Sequence, residues 1–183
     1  MTQSVKVAIV SDTHAYLHPE IKALVQLCDI AIHAGDICSA GILDELQPVS
    51  GQVIAVAGNN DHAAAWPVQH HAQVNALPQV ASLDLPGGRI AIEHGHLHDM
   101  NSPDHESLRQ AHPDVRMIVY GHTHRKIIDD FKMPWVVNPG AAGATRTRGG
   151  ASCLVLEASE ALWKIESYRF QDMEHAAQAA SAA

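Results

Sequence analysis

The sequence predicts an α/β layered fold, and three observations carry the prediction. Short β-branched runs recur along the 183 residues, each stopping at a polar or glycine-rich knot. Helical patterns fall between several of these runs. After Asn138 the alternation gives way to two runs with no helix between them.

In chain order, Val5 to Val10 ends at Ser11-Asp12-Thr13-His14, Ile30 to Ala34 at Gly35-Asp36, and Val53 to Ala57 at Gly58-Asn59-Asn60-Asp61. Ile90 to Ile92 ends at Glu93-His94-Gly95-His96, Met117 to Tyr120 at Gly121-His122-Thr123-His124, and Trp135 to Val137 at Asn138-Pro139-Gly140. Near-continuous apolar runs of this length suit strands buried on both faces. Pro19 to Leu27 places Ile21, Leu24, Val25 and Cys28 at helical spacing, with Pro19 suited to a first turn. Ser39 to Leu46 is a shorter helix with Ser39 as its cap. Ser102-Pro103-Asp104 reads as cap, first-turn proline and first-turn acid of a helix that His112-Pro113 stops. Cys153 to Leu156 and Leu162 to Phe170 read as an antiparallel pair at the sheet's end. Asp172 to Ala183 is alanine-rich, a final helix or a frayed end. With no internal repeat and no linker, 1–183 is expected to form one domain, with 173–183 as the tail.

Composition narrows the function. Apolar residues make up 46% and charged residues 17%, which excludes long disorder, and only 4% are aromatic, so the core is Val, Ile, Leu and Ala. No apolar run approaches the roughly 18 residues that cross a bilayer. The stretch Val5 to Val10 is too short for a signal-peptide core and lacks a basic leader, so a cytoplasmic protein without a membrane partner is expected. The net charge of −8 without a basic tract argues against a stable nucleic-acid complex. Cys28, Cys38 and Cys153, an odd set without paired spacing, read as reduced thiols. The unusual number is histidine: 14, against 12 Lys plus Arg. Histidine is the commonest metal ligand and the usual acid–base group near neutral pH.

In open α/β sheets ligands bind beyond the carboxyl ends of the strands, and here Asp, His and Asn collect at those ends. Asp12 and His14, like His122 and His124, are two residues apart, so on an extended backbone each pair points to one side. The donors Asp12, His14, Asp36, Asn59, His94, His122 and His124 are seven, too many for one ordinary ion. They suit two ions if one carboxylate bridges, and the lack of thiolate argues against a closed structural zinc site.

In order, these pieces resemble the motif set of the calcineurin-like metallophosphoesterase superfamily: D-x-H, G-D, G-N-x-D/E, H-G and G-H-x-H. The resemblance spans Val5 to about Gly150, and with Asn138-Pro139-Gly140 it is nearest the small prokaryotic phosphodiesterase branch. It implies a layered α/β/β/α sandwich with mixed sheets and helices on the outer faces. It implies one divalent ion on Asp12, His14, Asp36 and His124 and another on Asp36, Asn59, His94 and His122, with Asp36 bridging. Manganese is the first expectation; iron, zinc, nickel and cobalt also suit mixed N/O ligands. The implied reaction is hydrolysis of a small phosphodiester by in-line attack of a metal-bridging hydroxide.

One departure bears on the leaving group. Phosphomonoesterases of the superfamily commonly carry His after the Asn of the third motif, where this chain has Asn60. Asp61 is then expected to orient neighbours, and either His62 or His96 replaces the missing acid or a good leaving group needs none. The alternatives are a phosphomonoesterase or a non-catalytic interaction scaffold of the same fold, and the chain is compatible with a homo-oligomer. A lone histidine is more often a surface or hydrogen-bonded residue than a ligand, and His18, His33, His70, His71, His98, His105, His112 and His175 are read so. Arg146 and Arg148 reach a phosphate or are solvated loop charges, Asn138-Pro139-Gly140 is a turn shaping the rim, and Asp129-Asp130 is a solvated turn.

Overall fold

The computed structural model describes residues 4–171, and the alanine-rich tail lies outside them. Its strands are β1 (Val5–Val10), β2 (Ile30–His33), β3 (Gln52–Ala55), β4 (Val80–Leu85), β5 (Gly88–Glu93), β6 (Met117–Val119), β7 (Lys126–Asp129), β8 (Trp135–Pro139), β9 (Ala151–Ala158) and β10 (Trp163–Phe170). They form two five-stranded sheets, β10-β9-β1-β2-β3 and β4-β5-β6-β8-β7. Both are mixed. In the first, β1, β2 and β3 run parallel while β9 and β10 pair antiparallel; in the second, β5, β6 and β8 run parallel between antiparallel edges.

Side-chain alternation explains the layering. In β1, Val7 and Ile9 face the second sheet, joining Ile30, Ile32, Ile90, Ile92, Met117, Val119 and Val137 in one buried layer. Ala8 and Val10 face outward, against Ile21 and Val25 of α1 (Pro19–Val25) and Ile42 of α2 (Ala40–Glu45). On the far side, Ala91, Ile118 and Val136 pack on Leu108 of α4 (His105–Ala111). Burying Leu108 alone contributes about 2 kcal/mol. The result is the expected α/β/β/α sandwich.

Several boundaries and contacts differ from the sequence reading. Helix α1 starts at Pro19 but ends at Val25, and His18 caps it by accepting from Glu20 N at 3.3 Å. Ser39 precedes α2 without a side-chain cap bond. Asp104, not Ser102, caps α4, accepting from Ser107 N at 2.9 Å; the Ser102 amide is turned to the Asp99 carboxylate instead. Strands β4 and β7 and the helix α3 (His71–Ala76) were not anticipated. Asp129 is no solvated turn: Arg109 Nη2 and His105 Nδ1 each meet its carboxylate at 2.7 Å, because α4 lays those two side chains over the end of β7. All three cysteines are free. No helix among the described residues is long and apolar enough to cross a membrane.

Candidate metal centre

The knots that end β1, β2, β3, β5 and β6 converge at one end of the sandwich. Ligand atoms of Asp12, His14 and His124 lie within 4.8 Å of one another, and so do those of Asp12, Asp36 and His94. Asp36 joins the two groups: its Oδ1 is 3.4 Å from His94 Nε2 and its Oδ2 is 3.6 Å from His14 Nε2. His122 completes the cluster, its ring 5.2 Å from that of His94 and its Nδ1 3.0 Å from Asn59 Oδ1. All seven donors are thus brought together.

The backbone achieves this differently from the extended path the sequence suggested. Asp12, His14, Asp36, His122 and His124 all have positive φ, between 46° and 69°. Left-handed non-glycine residues cost of order 1 kcal/mol or more each and persist only where the surroundings over-determine them. Here each knot must turn sharply off its strand to present its donors. Glycines give the carboxylates room, since a Cβ at Gly58 would overlap the Asp36 carboxylate and one at Gly121 would overlap Ser11.

Hydrogen bonds set the ring orientations. His94 Nδ1 donates to Ala34 O at 2.7 Å, His122 Nε2 to Met100 O at 2.8 Å, and His124 Nδ1 to Thr145 O at 3.1 Å. A carbonyl only accepts, so the outer nitrogen of each ring carries the hydrogen and the inner one keeps its lone pair. Those lone pairs face other acceptors: His124 Nε2 is 3.3 Å from Asp12 Oδ1, and His122 Nδ1 faces the Asn59 oxygen. Both Asp12 oxygens and His94 Nε2 are buried without a hydrogen-bond partner among the described residues. Acceptors gathered around a shared space, with no thiolate among them, fit divalent cations.

Electrostatics agrees. Burial pushes the Asp12 carboxyl up to about 7, with the neighbouring Asp36 charge adding to it. Asp36 goes the other way: burial opposes, but His94 and the backbone and side chain of Asn60 outweigh it and hold the carboxyl below its usual range. Burial, and then Arg146, push His124 down to about 4, so it stands neutral at pH 7 with its Nε2 turned to Arg146 Nη2 at 3.1 Å.

Residues 5–161 match the family model of the calcineurin-like phosphoesterase superfamily domain. The chain belongs to that superfamily. A protein of Methanocaldococcus jannaschii named a phosphodiesterase is 28% identical over 144 residues, 74% of this chain and 82% of the relative. Among solved structures, an archaeal phosphodiesterase shares the fold at a TM-score of 0.65 and 21% identity, covering 89% of this chain and 99% of the other. Vacuolar Protein Sorting 29 from Cryptosporidium parvum does so at a TM-score of 0.69 and 17% identity, covering 92% and 99%.

Around this cluster the remaining predicted residues divide. Asn60 braces Asp36, its Nδ2 donating to Oδ2 at 2.7 Å and its amide to Oδ1 at 2.9 Å. Asp61 is buried and accepts from the amides of Ile37, Cys38 and Gly58 and from Trp66 Nε1. It thereby ties the second knot to the third, the orienting part expected of it. His62 is exposed on the rim. His96 is half-buried with its ring 5.5 Å from that of His94, and burial lowers its pKa.

Two braces were missed. His33, read only as a surface or hydrogen-bonded histidine, accepts from Gly35 N at 3.2 Å and so donates through Nε2 to Thr13 Oγ1 at 2.9 Å, linking the first knot to the second. Asn138 is more than a rim turn: its Nδ2 donates to Gly121 O at 2.6 Å and to Thr123 Oγ1 at 3.2 Å, holding the loop between His122 and His124. A polar residue inside an apolar run was the available signal for His33. Arg146 Nη2 lies 3.1 Å from His124 Nε2 and 3.4 Å from His14 Nε2.

Proposed function

We propose that this phosphoesterase is a metal-dependent phosphodiesterase acting on small diesters at a two-ion centre. The observation that carries the reading is the set of inward lone pairs on His94, His122 and His124, each fixed by a carbonyl on the outer nitrogen. Asp12, His14, Asp36 and His124 would hold one ion, and Asp36, Asn59, His94 and His122 the other. Manganese is the first choice, with iron, zinc, nickel and cobalt compatible with the same donors. Bound divalent cations supply positive charge for the phosphoryl oxygens and a nucleophilic water at neutral pH.

The chain's own residues do the rest. Asp12 and Asp36 are the only carboxylates among the seven proposed ligands, so two divalent ions leave the centre positive inside a chain of net charge −8. Asn60 keeps Asp36 aimed between the two groups. His96, held neutral by burial, hydrogen-bonds the departing oxygen without protonating it strongly, which favours esters with good leaving groups. The absence of His at position 60 and the likeness to a named phosphodiesterase both favour diester over monoester.

The test uses metal-depleted protein reloaded with manganese, with bis(p-nitrophenyl) phosphate compared against p-nitrophenyl phosphate and bound ions counted by mass spectrometry. Two ions per chain and faster diester hydrolysis are expected. The reverse order of rates would make the protein a phosphomonoesterase. Less than one ion per chain and no hydrolysis would favour a scaffold, the reading to which the fold's likeness to Vacuolar Protein Sorting 29 lends weight.

A further inference from the structure

The chain's basic residues are unevenly satisfied. Lys22, Arg89, Arg109, Lys132 and Lys164 each pair with a carboxylate, and Arg116 lies over the rings of Trp163 and Trp135. Of the other six, Lys6 sits apart in β1. The remaining five, Arg125, Lys126, Arg146, Arg148 and Arg169, have no carboxylate within 4.0 Å among the described residues, and Arg146 and Arg125 adjoin the proposed metal centre.

Their contacts form a row. Arg146 reaches the ligand histidines His14 and His124 themselves. Arg125 follows His124 directly, and Lys126 opens β7. Lys126 Nζ donates to Ser167 Oγ at 3.1 Å, on β10 two residues before Arg169 and so on the same side of that strand. Arg169 in turn lies along the loop of Arg146 and Arg148, its Nη1 3.1 Å from where a Cβ on Gly149 would stand. In a chain carrying eight excess negative charges, crowding its unpaired cations at one rim is unfavourable unless an anion joins them.

We propose that this row binds a second phosphate group of the substrate, so that the preferred diester carries a further phosphate beyond the scissile one, as in a phosphorylated dinucleotide. The proposal rests on the phosphodiesterase reading and deepens it: Arg146 connects the metal centre to the row, and Lys126, Arg148 and Arg169 hold the distal anion by charge-assisted hydrogen bonds. An overall acidic chain can bind a short polyanion in this way without gripping a long one.

Calorimetry on chelator-treated protein, where no hydrolysis occurs, compares dithymidylate with the same dinucleotide bearing a terminal phosphate. The phosphorylated ligand should bind about fivefold more tightly, an advantage that shrinks with added salt as two or three partly exposed pairs are screened. In the double variant Lys126→Gln, Arg169→Gln the advantage should drop below about twofold, with the thermal melt unchanged; Arg148→Gln is an independent second variant. Equal affinity of the two ligands in the wild type, including no measurable binding of either, overturns the proposal. So does an advantage untouched in both variants. Hydrolysis by the manganese-loaded protein is read separately: no turnover with the binding preference intact removes the phosphodiesterase reading and leaves the anion-binding row standing.

Discussion

The two ends of the sandwich are built from the same strands and differ in almost every respect. Where β1, β2, β3, β5 and β6 end, residues sit at positive φ and buried acceptors face one another unpaired. Where β6, β8 and β10 begin, aromatic and polar side chains close on one another. Arg116 stacks over Trp163 at 4.7 Å and over Trp135 at 5.9 Å while its Nη1 donates to Gly87 O, and Trp163 Nε1 donates to Pro86 O. Pro86 and Gly87 form the β4–β5 turn of one sheet, and Trp163 begins β10 of the other, so this closed end clasps the two sheets. The contrast shows where the fold keeps its strain: at the end whose knots gather buried acceptors at positive φ, opposite an end that clasps the two sheets together.

The contrast is broken hardest at Asp36. Asp36→Asn keeps the shape and one acceptor but removes the charge proposed to be shared between two ions. Diester hydrolysis should fall by roughly a thousandfold or more while the thermal melt of the metal-free protein is little changed. Retained turnover with two bound ions would refute the bridging role. Asp61→Ala comes next and should blur the contrast, since it frees the buried amides of Ile37, Cys38 and Gly58 at once. Leaving such donors unsatisfied costs about 1–3 kcal/mol, so chemical denaturation should show a loss near the top of that range. An unchanged midpoint would mean that the knots hold themselves.

How far the sequence discloses this arrangement depends on how local each cause is. The ligand set is legible because each motif lies in a few consecutive residues at a strand end, and the central strands because burial on both faces leaves unbroken apolar runs such as Val7 to Val10. Edge strands hide: β4 reads Val-Ala-Ser-Leu-Asp-Leu and β7 Lys-Ile-Ile-Asp, mixing polar residues in because one side meets solvent. The braces hide for a different reason. Asp61 serves Ile37 and Cys38, Asn138 serves Gly121, and Asp129 serves Arg109, partners about twenty residues away that only the folded layers bring close. The left-handed turns at Asp12 and His122 hide too, since neither residue type demands them; tertiary packing imposes them.

A titration separates the ends without any mutation. Asp12 carries its proton up to about pH 7 in the metal-free fold, against 3.8 ordinarily, so binding a cation there must expel that proton. The sign follows: affinity weakens as pH falls, by about tenfold per unit below pH 6 for one displaced proton. Folding stability of the metal-free protein moves the opposite way at this site. Between 3.8 and about 7 the folded carboxyl holds a proton that the unfolded one has released, so Asp12 lowers stability as pH rises through that window. The stabilisation conferred by manganese in thermal melts should therefore grow from pH 5 to pH 7.5. A gain independent of pH would show that Asp12 is not a ligand.

The smallest expected effect tests the quiet end. Arg116→Ala removes the stacking over Trp163 and the bond to Gly87 O, terms of about 0.5–1 and about 1 kcal/mol respectively at a half-buried position. A loss of roughly 1–2 kcal/mol in denaturant unfolding is expected, with kcat on the diester unchanged, because the metal-centre loops are braced by His33, Asp61 and Asn138 and not by the clasp. A fall in kcat of threefold or more at saturating manganese would show instead that loosening one end relaxes the other, and that the positive φ values at the ligands are sustained through the strands.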